Sequence, residues 1–169
     1  MSILFFGGYL MNYQTSLLED WIYQLYKQIG ISFPDQLDFR IIADRLGIQL
    51  EFWEVSSRLY NRKLIIDSRL TPEEQWQDFA HEMCHKLRHA GNHMVMPDMF
   101  LELQEFQANH FILHFCVPTF MLRKLNFRKS RKETIYLISN TFGVTFELAN
   151  KRLELYENKV NYQKSLSNI

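Results

Sequence analysis

Apolar residues recur along this chain in two rhythms, one helical and one alternating. From Leu17 to Ile29 they fall at Leu17, Leu18, Trp21, Ile22, Leu25, Tyr26 and Ile29. That single stripe, on a period near 3.6, predicts an amphipathic helix closed by Gly30. The run from Leu37 to Gly47 predicts a second, shorter helix with Gly47 in its C-terminal turn position. The period then drops to two. Ile48, Leu50 and Phe52 share one face and Gln49, Glu51 and Trp53 the other, which predicts a half-buried strand reaching Val55. Lys63 to Asp67, around Leu64-Ile65-Ile66, predicts a second strand, with Asn61 marking a turn between the two.

Helical signals return at Thr71-Pro72-Glu73-Glu74. Thr71 can cap, Pro72 suits the first helical position, and Glu74 completes a capping box. The helix that follows runs to about His89 and is expected to bury Trp76, Phe79, Ala80, Met83 and Leu87. Pro97-Asp98 opens another long helix, which stops before Pro118. Ser130 to Glu133 reads as a further capping box, and Phe142-Gly143-Val144-Thr145 as a tight turn between two more helices. Helices, then strands, then helices predict an α+β fold with a small antiparallel sheet packed on the two long helices. The expected organisation is a flexible tail over 1–12, a catalytic-type core over 13–129, a helix-turn-helix-like segment over 130–160 packed on that core, and a tail over 161–169.

Composition narrows the function classes. The chain has 169 residues and is 47% hydrophobic, enough for one domain with a sizeable core. Its 19 Lys+Arg and 19 Asp+Glu cancel, so nothing drives it as a whole toward nucleic acid or an anionic membrane. Two cysteines, Cys84 and Cys116, do not make a disulfide framework and point to a reducing compartment. No stretch approaches the ~20 apolar residues of a membrane span. Residues 1–10 are apolar but lack the basic flank of a signal peptide. A cytoplasmic protein without a membrane partner is expected.

The chemistry concentrates in His81-Glu82-Met83-Cys84-His85. A helix turns ~100° per residue, so His81 and His85 lie one turn apart on one face and can grip a single zinc ion. Glu82 sits at the edge of that face. There its carboxylate can take the proton of a water that zinc has acidified toward pKa ~7, as the water attacks a carbonyl. A third ligand must come from elsewhere. The position six residues beyond His85 is Gly91, which removes a third histidine there. Glu102 and Glu105 share a face of the next long helix. Glu105 is favoured because Asn109, one turn on, could accept a hydrogen bond from a zinc histidine and fix its ring; Glu102 is the alternative. His89 continues the row of histidines and His93 lies in a loop; each is a candidate orienting or transition-state group, although a histidine at a helix C-terminus is also favoured by the dipole. His110 and His114, also one turn apart, lack an intervening glutamate and are expected to pack. Cys84 and Cys116 are expected to be small core residues.

These residues resemble the ImmA/IrrE family of metallopeptidases from about Leu37 to Leu155. The resemblance is carried by Ile42-Ala43-Asp44-Arg45-Leu46-Gly47-Ile48, by Leu64-Ile65-Ile66-Asp67-Ser68-Arg69-Leu70, and by Pro72-Glu73-Glu74-Gln75. It continues in Phe79-Ala80-His81-Glu82-Met83-Cys84-His85 with His89, in Glu105-Phe106-Gln107-Ala108-Asn109-His110-Phe111 with Val117-Pro118, and in Phe142-Gly143-Val144-Thr145 with Arg152-Leu153. Cys84 stands where the family often has another small residue, and Gln107 where it often has Glu. The resemblance implies a zincin-like core, one zinc ion held by His81, His85 and Glu105, and Glu82 as general base. It also implies a protein substrate, because relatives on prophages and mobile elements act as antirepressors that cut a helix-turn-helix repressor.

The competing expectation is a DNA-binding or interaction module with a structural zinc. Its support is the turn at Gly143 and the basic residues Arg123, Lys124, Arg128, Lys129, Arg131 and Lys132. Against it, Thr145-Phe146-Glu147-Leu148 is acidic and apolar where a recognition helix would present base-reading groups.

Overall fold

The computed structural model describes residues 4–6, 9–11, 13–60, 63–88, 97–127 and 130–167. Strands β1 (Leu4–Phe6) and β2 (Tyr9–Met11) pair antiparallel, so the stretch expected to be a tail carries a short hairpin. Helix α1 (Leu17–Gln28) starts at a capping box that the sequence reading passed over. The Ser16 N–H donates to Glu19 Oε2 at 2.6 Å, and the Glu19 N–H donates to Ser16 Oγ at 3.3 Å. Gly30 follows α1 at φ 69° and Gly47 follows α2 (Phe39–Arg45) at φ 64°. Both turn the chain through the left-handed region that glycine enters without strain.

The sheet corrects the sequence reading in one respect. Strands β3 (Gln49–Trp53), β4 (Arg58–Tyr60) and β5 (Lys63–Asp67) lie in the order β3-β5-β4. β4 and β5 are antiparallel, but β3 runs parallel to β5, pairing Leu50 with Leu64 and Phe52 with Ile66. The sheet is therefore mixed, not antiparallel. The cause is β4, whose three exposed residues carry no periodicity, yet take the antiparallel edge and send β3 to the other side of β5. The continuous run Leu64-Ile65-Ile66, fully buried, is what a strand covered on both faces requires. Asn61, read as a turn residue, lies outside the described residues.

Two antiparallel helices, α3 (Pro72–Arg88) and α4 (Asp98–Cys116), form the centre. α3 buries Trp76, Phe79, Ala80, Met83 and Cys84. Leu87, expected on the same stripe, is exposed in the last turn, and Cys84 fills the interior position instead. Phe115 of α4 meets both Trp76 and Phe79, with ring centroids 5.6 and 6.4 Å away, and its carbonyl accepts from Tyr26 Oη at 2.7 Å. α1 is thereby fastened to the same core. No described helix is long and apolar enough to cross a membrane.

After the short α5 (Thr119–Leu122), helices α6 (Arg131–Phe142) and α7 (Phe146–Ser167) fold about Gly143 at φ 60°. Ser130 makes no side-chain cap, contrary to the capping box expected there. Its carbonyl is instead held by Thr134 Oγ1 at 3.2 Å. α7 also continues to Ser167, so most of the expected 161–169 tail is helical. Ile135, Ile138, Phe142, Leu148, Ala149 and Leu153 belong to the same hydrophobic cluster as Phe79 and Phe115. The inner face of the C-terminal pair is thus core, and only its outer face is spare surface.

Beneath α7 lies a buried polar knot. Glu19 accepts from Tyr13 Oη and Thr119 Oγ1, both at 2.6 Å, and pairs with Lys159. Arg152, fully buried, donates to Val117 O at 3.0 Å and Thr119 Oγ1 at 2.7 Å. Burial alone would raise the Glu19 carboxyl; hydrogen bonds from Lys159, Thr119, Tyr13 and Ser16 outweigh it and bring the group down to about 2. Burial, helped by Arg152, holds His114 down to about 3. The 3.9 Å approach of His114 Nδ1 to Glu19 Oε1 is therefore not an ion pair at neutral pH.

The two groups act in the same direction with pH. From its ordinary 6.5 down to about 3, His114 takes up a proton only when unfolded; from 4.5 down to about 2, so does Glu19. The unfolded state binds more protons in both windows, so stability falls as pH falls. Urea unfolding at pH 7 and pH 5 should show a loss for the wild type and a smaller loss for His114→Gln. Equal losses in the two proteins would remove His114 from the explanation.

Candidate metal centre

α3 carries the His81–His85 pair, and its start is set by local chemistry. Thr71 N–H and Oγ1–H donate to Glu74 Oε2 at 2.9 and 3.0 Å, and Glu74 N–H returns to Thr71 Oγ1 at 3.3 Å. This box satisfies amides that the first turn would otherwise leave unpaired, and it fixes the helix register. Apolar neighbours on the buried stripe then fix the rotation of α3, which turns His81 and His85 toward α4.

The two ring Nε2 atoms lie 3.0 Å apart. Glu105 of α4 completes a triangle, with Oε2 at 3.4 Å from His81 Nε2 and Oε1 at 3.2 Å from His85 Nε2. One ligand atom from each of the three residues lies within 4.8 Å of the others. The His85 side chain is 8% exposed, that of His81 24% and that of Glu105 53%, so the triangle has a closed back and an open front. Glu102 stands exposed one turn earlier and is not one of the residues meeting there.

Glu82 is half-buried beside the triangle. Burial pushes its carboxyl up to about 7, with the negative charges of Asp78 and Glu105 adding to the effect; the backbone N–H of Leu59 and the charge of Arg58 pull the other way. A cation held by the triangle would pull it down further. The Leu59 contact ties the edge strand β4 to the start of the His-Glu-x-x-His segment. No sequence signal announced it, because a backbone amide on a three-residue strand has no residue type to read.

Other expected groups fall elsewhere. Asn109 is exposed and lines a cleft between α4 and α7, in company with Gln77 and Thr145. His89 and His93 lie outside the described residues. His110 and His114 stack edge to face at 4.9 Å, and His114 belongs to the knot around Glu19. Cys84 and Cys116 are buried without a disulfide, and burial pushes the Cys84 thiol up to about 11 and that of Cys116 up as well. Gln77 was also missed: its Oε1 accepts from Thr145 N–H at 3.0 Å, joining α3 one turn before His81 to the start of α7.

A histidine pair one helical turn apart and a facing carboxylate make a donor set that could hold a metal ion, the arrangement expected of a metallopeptidase. The model of the peptidase M78 family, the IrrE N-terminal-like domain, matches residues 41–154, and the chain belongs to that family. It is 41% identical over 168 residues to the phage-like element PBSX protein XkdA of Bacillus subtilis, covering 95% of this chain and 82% of the relative. It is 42% identical over 156 residues to the uncharacterized protein YqaB of the same organism, covering 89% and 90%.

Proposed function

We propose that the protein is a zinc-dependent endopeptidase that cuts a helix-turn-helix transcriptional repressor at one site, acting in the cytoplasm as an antirepressor. The observation that carries the zinc reading is the spacing of the donor groups of three residues. A tetrahedral ion with bonds of ~2.0–2.1 Å sets its ligand atoms ~3.3 Å apart; the two Nε2 atoms stand 3.0 Å apart, and one oxygen of Glu105 lies 3.4 Å from His81 and the other 3.2 Å from His85. Two imidazoles and a carboxylate are also a donor set suited to that metal, with one position left for water or substrate. When bound, zinc supplies Lewis-acid chemistry, polarising a carbonyl and making water acidic near neutrality. Glu82 then has one task, to receive a proton at its carboxylate and pass it on to the leaving amine.

A zinc titration separates the third-ligand candidates. Glu105→Gln should weaken zinc binding by an order of magnitude or more, while Glu102→Gln stays near wild type. The reverse ranking would move the centre one turn toward the start of α4.

The repressor part rests on the kinship with a phage-element protein and on restraint. A metallopeptidase loose among unfolded chains needs a substrate filter, and the outer face of α6 and α7 offers one, with Tyr136 and Phe146 exposed. The test presents the purified zinc protein with the repressor of its own mobile element and with casein. A single cut in the repressor and slow casein digestion are expected; rapid digestion of casein would leave a general peptidase. Truncation after Lys129 cannot serve as the test, because it removes part of the core. Three of the basic residues behind the DNA-binding alternative are engaged within the fold. Arg131 pairs with Glu157, Arg123 stacks on Tyr13 at 4.9 Å, and Lys124 lies 5.3 Å from the Phe33 ring.

A further inference from the structure

A cleft of about 560 Å³ opens between α4 and α7. Its volume lies within the range of ligand pockets, ~300–1,000 Å³. The three donor residues of the metal centre do not line it, but it opens one helical turn away from them. Asn109 and Ile112 line it, and they follow Glu105 at four and seven residues, so they prolong the Glu105 face of α4. Gln77 lines it too, four residues before His81 on α3. The width is fixed, because the Gln77–Thr145 hydrogen bond ties the start of α7 to α3.

The lining has a definite chemistry. Leu148 and Leu113 offer apolar surface, and Phe106, the residue after Glu105, presents a ring that is 71% exposed. An aromatic ring left in water beside a ligand-bearing position gains most from an apolar partner. At the rim Lys151 and Glu147 form an ion pair at 2.7 Å.

We propose that this cleft is a substrate subsite, taking a bulky aromatic or aliphatic side chain of the polypeptide two to three residues from the bond that is cut. The inference rests on the peptidase reading. The register follows from helix and strand geometry. At ~1.5 Å per residue, Asn109 and Ile112 lie ~6 and ~10 Å along α4 from Glu105. An extended chain advances ~3.3 Å per residue, so it covers that span in two to three residues. Specificity in a short chain then comes from one slot a helical turn from the donors, where Phe106, Leu113 and Leu148 take the apolar side chain while Gln77, Asn109 and Thr145 line the polar side, with the rim charges choosing what flanks it.

The test uses a random-sequence peptide library in two arms. In the first, zinc-loaded Glu82→Gln protein selects peptides by binding. Large apolar residues should be enriched, and adding Phe106→Asp should reduce that enrichment about 10-fold, with zinc content and circular dichroism unchanged. Adding Lys151→Glu, on the exposed rim away from the ligands, should shift the flanking preference toward basic residues. In the second arm, zinc-loaded wild type is given the selected peptides and the cut bonds are mapped by mass spectrometry. Cuts should fall two to three residues from the selected apolar residue. Selection and cutting that ignore both substitutions would overturn the cleft and leave the peptidase reading standing. Cleft-dependent binding with no cutting by the wild type would overturn the peptidase reading, and the subsite with it.

Discussion

Zinc-loaded Glu82→Gln protein is expected to hold one ion per chain, to melt with the wild type and to cut the repressor at least ~100-fold more slowly. The substitution keeps the size of the side chain and an oxygen that can accept from the Leu59 N–H, so the contact between α3 and β4 survives. It removes only the capacity to take a proton. A carboxylate half-buried beside the donor triangle is placed to move a proton between water and a leaving amine, which is why its loss should reach the chemical step. A 100-fold loss corresponds to ~2.7 kcal/mol of transition-state stabilisation. Turnover within a few-fold of wild type, at full zinc content, would take Glu82 out of the reaction.

The largest effect on stability should come from Arg152. Arg152→Ala leaves the Val117 carbonyl without its donor, takes a bond from Thr119, empties a fully buried volume and strips Glu19 of a compensating charge. Breaking a buried charged network at one partner costs ~3–5 kcal/mol, which for a domain of this size is a fall in melting temperature of roughly 10 °C or more. Arg152→Met fills most of the space and should recover part of the loss. Combining Arg152→Met with Glu19→Met should recover more, because no charge is then left buried alone. Calorimetry of the four proteins decides it; an Arg152→Ala protein melting within 2–3 °C of wild type would show that the knot contributes little.

What could be read in the sequence was what is local. Gly30, Gly47 and Gly143 each end a helix because each must pass through positive φ, and Thr71-Pro72-Glu73-Glu74 announces a helix through groups three residues apart. The α+β class followed from those elements. His81 and His85 were legible for the same reason, since one turn of helix places them together. In the sequence, Glu105 is favoured over Glu102 only because Asn109 follows it; which of the two approaches the histidines depends on how α4 is rotated about its axis, and the apolar pattern of that helix is too even to fix the rotation. β3 pairing parallel with β5 depended on a three-residue edge strand that has no pattern. The knot at Glu19 was invisible because its partners Thr119 and Lys159 stand 100 and 140 residues away in the chain.

One hydrogen bond has a consequence for the life of the protein in a cell. Gln77 on α3 holds the amide at which α7 begins, and α7 shares its buried side chains with α3 and α4. Loss of α7 therefore exposes the apolar surface beneath the site at the same moment as it frees the helix that carries His81. A fold that cannot shed its last helix and keep His81, His85 and Glu105 together couples that arrangement to the integrity of its C-terminal end, so a chain nicked or opened there loses both at once.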